Sequence, residues 1–405
     1  MKKLVAVLAV IGSLAASAPS AAAPLRDQLL EGAARVGISG GSAFDALADA
    51  IASTAARSIP VVSASAGFTY RYNPELEVFE RTSETLGPLF LERPDTLGRS
   101  KFNVNVSYQY VQFDSFDGED IDSLEARDPI ITNVVSGGVI TAANATRLRY
   151  DLGLVNHIVG ISATYGVLDD LDVNILLPLI QTQFDTDVRA QLVATAPPGG
   201  AFTPATGLAT ASLDDGKFGV GDILLRAKYL WLRTEEVHSA VGLQFRLPSG
   251  DEDDFQGTGD FEISPAVYLA TRFWERVTPH ANVAFDVDVE DIDRSQARYG
   301  IGVDADILPR LGVAIAFLGR SEFTDIADED DTQFLHLVGG VGGVPQQRPL
   351  LGLDFDRKDY FDFSFGFRVV VWREIMFFAN GLVALNDDGL RNDTVIPLVG
   401  VEGTF

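Results

Sequence analysis

The sequence predicts an all-β protein, an antiparallel transmembrane β-barrel of about fourteen strands with about twelve as the alternative, plus a short helical segment near the N-terminus. Three observations support this fold class. Stretches of about ten residues alternate apolar and polar side chains with a period of two. Past the N-terminus the chain contains no run of about 18 apolar residues, the length that a membrane helix needs. Because an open sheet edge would leave backbone groups unpaired in hydrocarbon, a sheet that spans lipid must close.

The alternation is clearest at the two ends of the predicted barrel. Phe102, Val104 and Val106 alternate with Asn103 and Asn105, which predicts one lipid-facing and one polar face. The last strand, 394–405, ends in an aromatic residue, as strands of this class do. Further predicted strands span 157–167, 171–185, 219–232, 238–248, 259–273, 278–289, 295–305, 310–320, 360–371 and 375–386. Alternation over 64–72 and a weak return strand near 77–90 raise the count from twelve to fourteen.

The connections between these strands predict an orientation. Apart from a brief outer link near 290–294, they are alternately long and short. The long ones span about 114–145, 186–218, 249–258 and 321–359, and the short ones lie near 169–170, 234–236, 275–276, 306–309 and 373–374. Because barrels of this class have short periplasmic turns and longer outer loops, Phe405 is predicted at the periplasmic rim. Three tryptophans fall beside short connections, where indole rings favour the membrane interface. The predicted interface anchors are Trp231, Trp274, Trp372 and Phe405.

The chain divides into three predicted parts. Residues 1–22 have the basic start, apolar run and small residues of a secretory signal peptide, which implies export to a Gram-negative outer membrane. Residues 23–62 form a partly helical periplasmic or plug segment, with Ser42 and Asp45 at capping-box spacing and Phe44 to Ala55 supplying one apolar helical face. Residues 63–405 form the barrel. A secreted soluble β-sandwich is the alternative, since its strands also alternate.

The residues of opposite parity to the lipid-facing ones are predicted to face the lumen. They carry both signs of charge: Arg226, Lys228, Arg246, His280, Asp286, Asp288, Arg298, Asp304, Asp362 and Arg368. Such residues can fill and stiffen a narrow barrel as a ladder of charge pairs. They can also line a polar path for a solute, and parity does not separate the two interpretations.

The formal net charge of −26, from 31 basic and 57 acidic residues, is concentrated in the predicted outer loops. A field of this sign argues against nucleic acid and anionic substrates. Outer-membrane lipid and lipopolysaccharide, with divalent cations between them, are the predicted partners of these loops. The terminal strand is expected to engage the barrel-assembly machinery. No acidic run has EF-hand spacing, so no metal site is predicted.

Some predicted outer segments are apolar instead. Residues 130–145, 190–212 and 335–353 are rich in aliphatic residues, Gly, Ala and Thr. Exposed apolar loops need a partner. Either they fold over the barrel mouth or pack against lipid, or they receive a hydrophobic solute.

Catalysis has little support in the sequence. A hydrolase would need a Ser or Asp placed with a His, and the chain has four histidines and no cysteine. By parity only His280 faces the lumen, and Asp286 and Asp288 lie about 20 Å or more along the same strand. We therefore predict no enzyme and no cofactor.

Four short motifs lie at strand ends: Tyr165-Gly166, Leu177-Pro178, Gly219-Val220-Gly221-Asp222 and Leu247-Pro248-Ser249-Gly250-Asp251. In this order they resemble an outer-membrane transporter family named for the MetA pathway of phenol degradation. The resemblance covers about 148–405, and Ser249 stands where Thr is more frequent, which leaves the turn chemistry intact. Membership implies a β-barrel that moves small, often aromatic or hydrophobic, compounds.

The expected function is therefore passive diffusion of such compounds across the outer membrane. Two alternatives stay open, a cation-preferring general channel, favoured by the acidic loops, and a plugged structural or adhesive barrel.

Overall fold

The computed structural model describes residues 23–38, 51, 55–57, 63–64, 68–73, 78–81, 86–125, 129–136, 139–271, 276–324, 335–339, 345–349 and 357–405. Within them, no helix is long and apolar enough to cross a membrane. An α-helix, α1, spans Asp27–Arg35, and 3-10 helices span Ile121–Ser123 and Ile292–Arg294. Residues 51 and 55–57 are also helical, whereas 39–50, which carry most of the predicted helix, lie outside the described residues.

Among the described residues, twelve antiparallel strands close the barrel. They are β1 (Phe102–Phe113), β2 (Val139–Leu168), β3 (Leu171–Ala196), β4 (Thr203–Val220 continued by Ile223–Arg233), β5 (Val237–Leu247), β6 (Glu262–Thr271), β7 (Val277–Asp288), β8 (Gln296–Leu308), β9 (Leu311–Glu322), β10 (Asp359–Trp372), β11 (Ile375–Ala384) and β12 (Ile396–Thr404). Each strand pairs with the next, and β12 pairs with β1, with Val401 opposite Val106. Pairing of the last strand with the first leaves the barrel wall without an edge.

The alternative count of twelve strands is confirmed, and the preferred count of fourteen is wrong. The two additional predicted strands correspond to Tyr70–Asn73 and Val78–Arg81, which pair with one another in a separate two-stranded sheet. Alternation alone cannot distinguish a strand of the wall from a strand of a small hairpin, because both have a period of two.

The barrel wall is apolar outside and polar inside, as predicted. On β1, Asn103 and Asn105 are buried, whereas Phe102 is 42% exposed. On β12, Val401 is 48% exposed and Glu402 is 1% exposed. This pattern is the reverse of a soluble protein and suits a barrel whose outer surface contacts lipid.

The short connections lie at one end of the barrel, called here the turn end, and the long ones at the other, called the loop end. The turn end carries the links after Leu168, Arg233, Leu308 and Trp372. Phe405 lies at this end too, where its N–H donates to the Phe102 carbonyl at 2.7 Å.

At the loop end, β2, β3 and β4 continue far beyond the barrel. β2 has 30 residues and β3 has 26, whereas about 9–11 residues suffice to span the membrane. Ile130–Ser136 pairs with β2 and adds a fourth strand to this extension. The loops predicted at 114–145 and 186–218 are therefore largely strand, and that part of the prediction is wrong.

The polarity of β2 inverts where it leaves the barrel. Leu148 and Tyr150 are buried on the face that carries Asn156 and Thr164 deeper in the barrel, and Arg147 is exposed on the other face. Beyond the lipid, the outer face meets water and the inner face forms an ordinary hydrophobic core. A rule that looks for outward apolar residues therefore fails in this extension.

Helix α1 packs on the apolar face of the extension. Its buried residues recur at helical spacing, and Leu29 and Ala33 share a core with Tyr150, Phe184 and Val188. The Tyr150 hydroxyl donates to the Leu29 carbonyl at 3.2 Å. Helix α1 thereby lies at the loop end.

Short strands complete the loop end. Leu390–Arg391, Ser115–Phe116 and Glu119–Asp120 form a three-stranded sheet, and Leu124–Glu125 pairs with β2. A hairpin of Leu335–Gly339 and Pro345–Pro349 pairs at Val338 with Ile130. These elements surround the mouth of the barrel.

Candidate functional site

Several described residues of the chain between α1 and β1 lie inside the barrel. Near the loop end, the Arg57 guanidinium lies 2.9 Å from the Asp288 carboxylate and 3.4 Å from that of Glu262. Halfway down, the Glu92 carboxylate lies 3.8 Å from Arg226 and 4.0 Å from Lys228. The segment therefore contacts wall residues that the sequence places in the lumen.

At the turn end the same segment is held by polar contacts to the wall. The Asp95 carboxylate lies 2.8 Å from His238 Nδ1, and the Thr96 hydroxyl donates to the Asp169 carbonyl at 2.7 Å. The Leu97 N–H donates to Asp172 at 2.7 Å. The described residues from Arg57 to Leu97 thus contact the wall from the loop end to the turn end of the lumen.

The electrostatics of Asp95 follow from these contacts. Burial alone would raise its pKa, but the hydrogen bond and charge of His238, together with the charges of Arg93 and Arg233, lower the pKa from 3.8 to about 2. The carboxylate is therefore ionised at neutral pH and holds the segment as an anion.

Five of the predicted lumen residues lie in the loop half of the barrel, and each forms an ion pair. Arg246 Nε donates to Glu262 at 2.8 Å, and Arg298 Nη2 donates to Asp286 at 2.7 Å. Asp362 lies 3.0 Å from Arg391, which the sequence did not single out. The five are Arg246, Asp286, Asp288, Arg298 and Asp362.

The other five lie in the middle and the turn half. Arg368 lies 3.0 Å from Glu402 and also donates to the Pro88 carbonyl at 2.6 Å. His280 contacts Asp304 on the next strand, rather than Asp286 or Asp288 on its own. Lys228 donates to the Arg93 carbonyl at 3.0 Å. The five are Arg226, Lys228, His280, Asp304 and Arg368, and their role in transport stays a prediction.

The loop half of the lumen contains a cavity of about 200 Å³. Its lining includes aromatic side chains, among them Phe90, Phe113, Tyr268 and Tyr360. It also includes six arginines and three carboxylates: Arg57, Arg226, Arg246, Arg298, Arg320 and Arg391, with Glu92, Asp286 and Asp362. Among the described residues, no group of three or more His, Asp or Glu is placed to hold a metal ion.

The predicted interface anchors lie on the outside of the turn end where the structure describes them. Trp231 and Trp372 are 57% and 61% exposed, and Phe405 is 65% exposed. Trp274 lies outside the described residues. Anchoring in a membrane interface stays a prediction for all four.

A family model described as "Putative MetA-pathway of phenol degradation" matches residues 126–384. The chain belongs to this family. The resemblance on four short motifs is thereby confirmed.

Solved structures resemble this member of the MetA-pathway family only in general form. The COG4313 outer membrane channel from Pseudomonas putida F1 is 12% identical with a TM-score of 0.48, and the match covers 77% of this chain and 98% of that one. The NanC porin is 7% identical with a TM-score of 0.38, covering 75% and 98%. The Pseudomonas putida toluene transporter TodX is 10% identical with a TM-score of 0.34, covering 77% and 90%. No curated protein matches the sequence.

Two of the family motifs contact each other at the loop end. The chain irregularity at Gly221-Asp222, between the two segments of β4, turns the Asp222 carboxylate toward the loop after β5. Asp222 accepts from the Gly250 N–H at 3.1 Å and from the Thr258 N–H at 2.9 Å. The Ser249 hydroxyl donates to the Gly221 carbonyl at 2.8 Å. The motifs therefore fix the loop that covers this side of the mouth.

The fixed loop in turn holds the N-terminal segment. The Leu25 N–H donates to Asp254 at 2.9 Å, and Arg26 lies 3.0 Å from Asp253. Phe255 is buried and packs edge-on against Phe184, with ring centroids 5.0 Å apart. These contacts give the motifs a structural role at the loop end.

Several cavity residues were missed in the sequence. Arg320 and Tyr360 share the inward parity of their predicted strands, so parity could have found them. Arg57 and Glu92 belong to the N-terminal segment, and Arg391 lies in an irregular link between β11 and β12. No sequence period marks those three, because they reach the lumen through tertiary packing.

Proposed function

We propose that this protein is an outer-membrane channel through which small hydrophobic or aromatic compounds move by passive diffusion. The supporting architecture is a closed barrel with an apolar outer wall, and membership of the MetA-pathway family agrees with it. Removal of residues 1–22 as a signal peptide and insertion into a Gram-negative outer membrane belong to this proposal. Recognition of the terminal strand by the barrel-assembly machinery and contact of the acidic loops with lipopolysaccharide belong to it too.

The observation that carries the proposal is the internal cavity. At about 200 Å³ it exceeds the volume of about 150 Å³ that accommodates benzene in an engineered protein cavity. Phe90, Tyr268 and Tyr360 provide aromatic surface in its lining. A single aromatic ring therefore matches the cavity in both size and contact surface.

A cation-preferring general channel, the alternative that the acidic loops favour, is less well supported by the charges of the cavity. Six arginines and three carboxylates line it, so the fixed charge at its surface is mainly positive. Cations would meet this charge after passing the acidic loops. We therefore retain passage of aromatic compounds as the first proposal.

The plugged-barrel alternative is supported by the described residues that lie inside the lumen. We propose that the described residues inside the lumen, among them Arg57, Glu92 and Asp95, restrict it and that solute passes beside them or after they shift. The contacts of Arg57 near the loop end and Asp95 near the turn end are the supporting observations. In planar bilayers, the double variant Arg57→Met with Asp95→Asn should conduct more than the wild type. Equal conductance of the double variant and the wild type would oppose this proposal.

Uptake of phenol into proteoliposomes tests the first proposal. Ala284 lines the cavity, so Ala284→Phe should reduce uptake by filling it. Ala281 lies on the same strand with opposite parity, and Ala281→Phe is the matched control that should leave uptake unchanged. Uptake no faster than in protein-free vesicles, or equal loss in both variants, would contradict passage through this cavity.

A further inference from the structure

The arginines of the cavity differ in how their charges are compensated. Arg298 has a two-pronged contact with Asp286, and Arg246 pairs with Glu262. Arg320 lies directly opposite Arg298 on the neighbouring strand. Like charges placed opposite one another on a sheet repel, so a compensating group is expected nearby.

Among the described residues, Glu322 and Asp362 act on Arg320 through their charges, but neither forms an ion pair with it. Its Nη1 donates to the Arg57 carbonyl, and its guanidinium carbon lies 3.7 Å from the centre of the Tyr360 ring. No described carboxylate oxygen lies within the 4.0 Å of an ion pair with it, while every other cavity arginine has one. A positive charge at a cavity wall without a paired carboxylate favours an anionic ligand.

Arg391 provides a second donor at the same place. It is 7% exposed, and its guanidinium carbon lies 4.7 Å from the centre of the Tyr360 ring. Nη1 donates to Asp362 at 3.0 Å and Nη2 to Asn386 at 2.6 Å, but the buried Nε–H has no hydrogen-bond partner. A buried donor without a partner is costly, and a ligand oxygen would satisfy it.

Two guanidinium groups and an aromatic ring therefore converge on a cavity that fits one ring. We propose that the cavity binds monocyclic aromatic carboxylates, with the carboxylate on Arg320 and Arg391 and the ring in the aromatic part of the lining. This inference rests on the proposed function and narrows its substrate class. The net charge of the whole chain argues against anionic substrates, but the acidic residues are concentrated in the loops, whereas arginines line the cavity.

The competing possibility is a neutral aromatic ligand. Among the described residues, such a ligand would leave Arg320 without an ion pair and the Arg391 Nε–H without an acceptor. A carboxylate satisfies both groups, because it offers two oxygens to planar guanidinium donors. Benzoate and benzamide have nearly the same shape and differ in charge, so they separate the two cases.

Calorimetric titration of the full-length mature protein in detergent is the test. Benzoate should bind at least about tenfold more tightly than benzamide and than acetate, and its affinity should fall as salt rises. Equal affinity for benzoate and benzamide would overturn the proposal. Acetate binding as tightly as benzoate would overturn it too, since the site would then take anions without a ring. These comparisons need no variant.

Variants locate the site. Arg320→Met should weaken benzoate binding about tenfold and leave benzamide binding unchanged, which also shows that the variant is folded. Arg320→Lys should retain part of the affinity, because the charge remains but the two-pronged geometry is lost. Arg147→Met, an exposed arginine of the extension, is the matched control and should have no effect. Equal losses in Arg320→Met and Arg147→Met would contradict the assignment.

The two proposals can fail separately. If phenol enters proteoliposomes but benzoate does not bind preferentially, the carboxylate inference fails and aromatic transport stands. If benzoate binds as expected but neither compound is taken up, the binding site stands and transport fails.

Discussion

The Asp222 carboxylate accepts a hydrogen bond from the backbone N–H of Gly250 at 3.1 Å, which joins β4 to the loop after β5. The same carboxylate accepts from Thr258 and lies 3.6 Å from Arg246, while being 5% exposed. One side chain thus connects the irregular position within β4, the loop at the mouth and the ion-paired Arg246 in the lumen.

Asp222→Ala should lower the free energy of unfolding by about 3–5 kcal/mol, because it leaves Arg246 with one partner fewer and two backbone donors unsatisfied. Denaturant unfolding in lipid vesicles measures this change, and protease cleavage within 249–258 should accelerate. Asp187→Ala, on the exposed face of the extension, is the control and should change stability by less than about 0.5 kcal/mol. Similar losses in both variants would contradict the role assigned to Asp222.

Arg368 and Glu402 form a buried ion pair, being 2% and 1% exposed. Glu402→Gln should destabilise the barrel by about 3–5 kcal/mol, because it leaves a buried cation without its counter-ion. The double variant Arg368→Met with Glu402→Leu should recover most of this loss, although the Pro88 carbonyl loses its donor. Unfolding of the wild type, Arg368→Met, Glu402→Leu and the double variant gives the coupling energy. If Glu402→Gln lowers the free energy of unfolding by less than about 1 kcal/mol, the Arg368–Glu402 pair does not stabilise the barrel.

Asp95 should make the attachment of residues 86–101 to the barrel wall depend on pH. Its pKa in the folded protein is lowered to about 2, so the stabilisation is fully present above the ordinary value near 3.8 and is lost as pH falls through about 2. The expected loss between about pH 4 and pH 2 is about 2 kcal/mol. Asp95→Asn should lack this component. The rate of pepsin cleavage within 86–101, compared between the two proteins across this range, is the measurement, and identical profiles would contradict the prediction.

Gly32 is required where α1 meets β3. A Cβ added at Gly32 would lie 2.6 Å from Val188 Cγ2, closer than side chains tolerate, and valine cannot easily move away. Gly32→Leu should therefore destabilise helix docking by about 1–3 kcal/mol and accelerate trypsin cleavage after Arg35. Ala34→Leu, at an exposed position of the same helix, is the control. Unchanged cleavage in Gly32→Leu would argue against this packing.

Much of the barrel was predictable because lipid imposes a simple rule. Where the wall contacts lipid, outward residues such as Phe102 and Val401 must be apolar, and their neighbours such as Asn103 and Glu402 turn inward. The positions of the short turns follow from breaks in this alternation. The rule fails for the extension, because its outer face meets water instead of lipid and its inner face packs against α1. The polarity of β2 therefore inverts there.

The candidate site was less predictable than the wall. Parity pointed to Arg298 and Asp362, but the pairing of Arg298 with Asp286 and of Asp362 with Arg391 depends on strand register and on an irregular link. His280 shows the same limit, since its partner Asp304 is on the next strand. A period of two reports the face of a residue and carries no information on its neighbour across the sheet.

The sequence by itself determined a closed antiparallel barrel, the positions of its short turns and the residues that face its interior, because each follows from the alternation that lipid requires. Only the tertiary structure decided that twelve strands close it, that Arg57 and Asp95 of the preceding chain lie inside it, and that Arg320 and Arg391 both contact the Tyr360 ring. Those features depend on contacts between residues far apart in the chain, where local periodicity ends and packing, register and charge compensation decide.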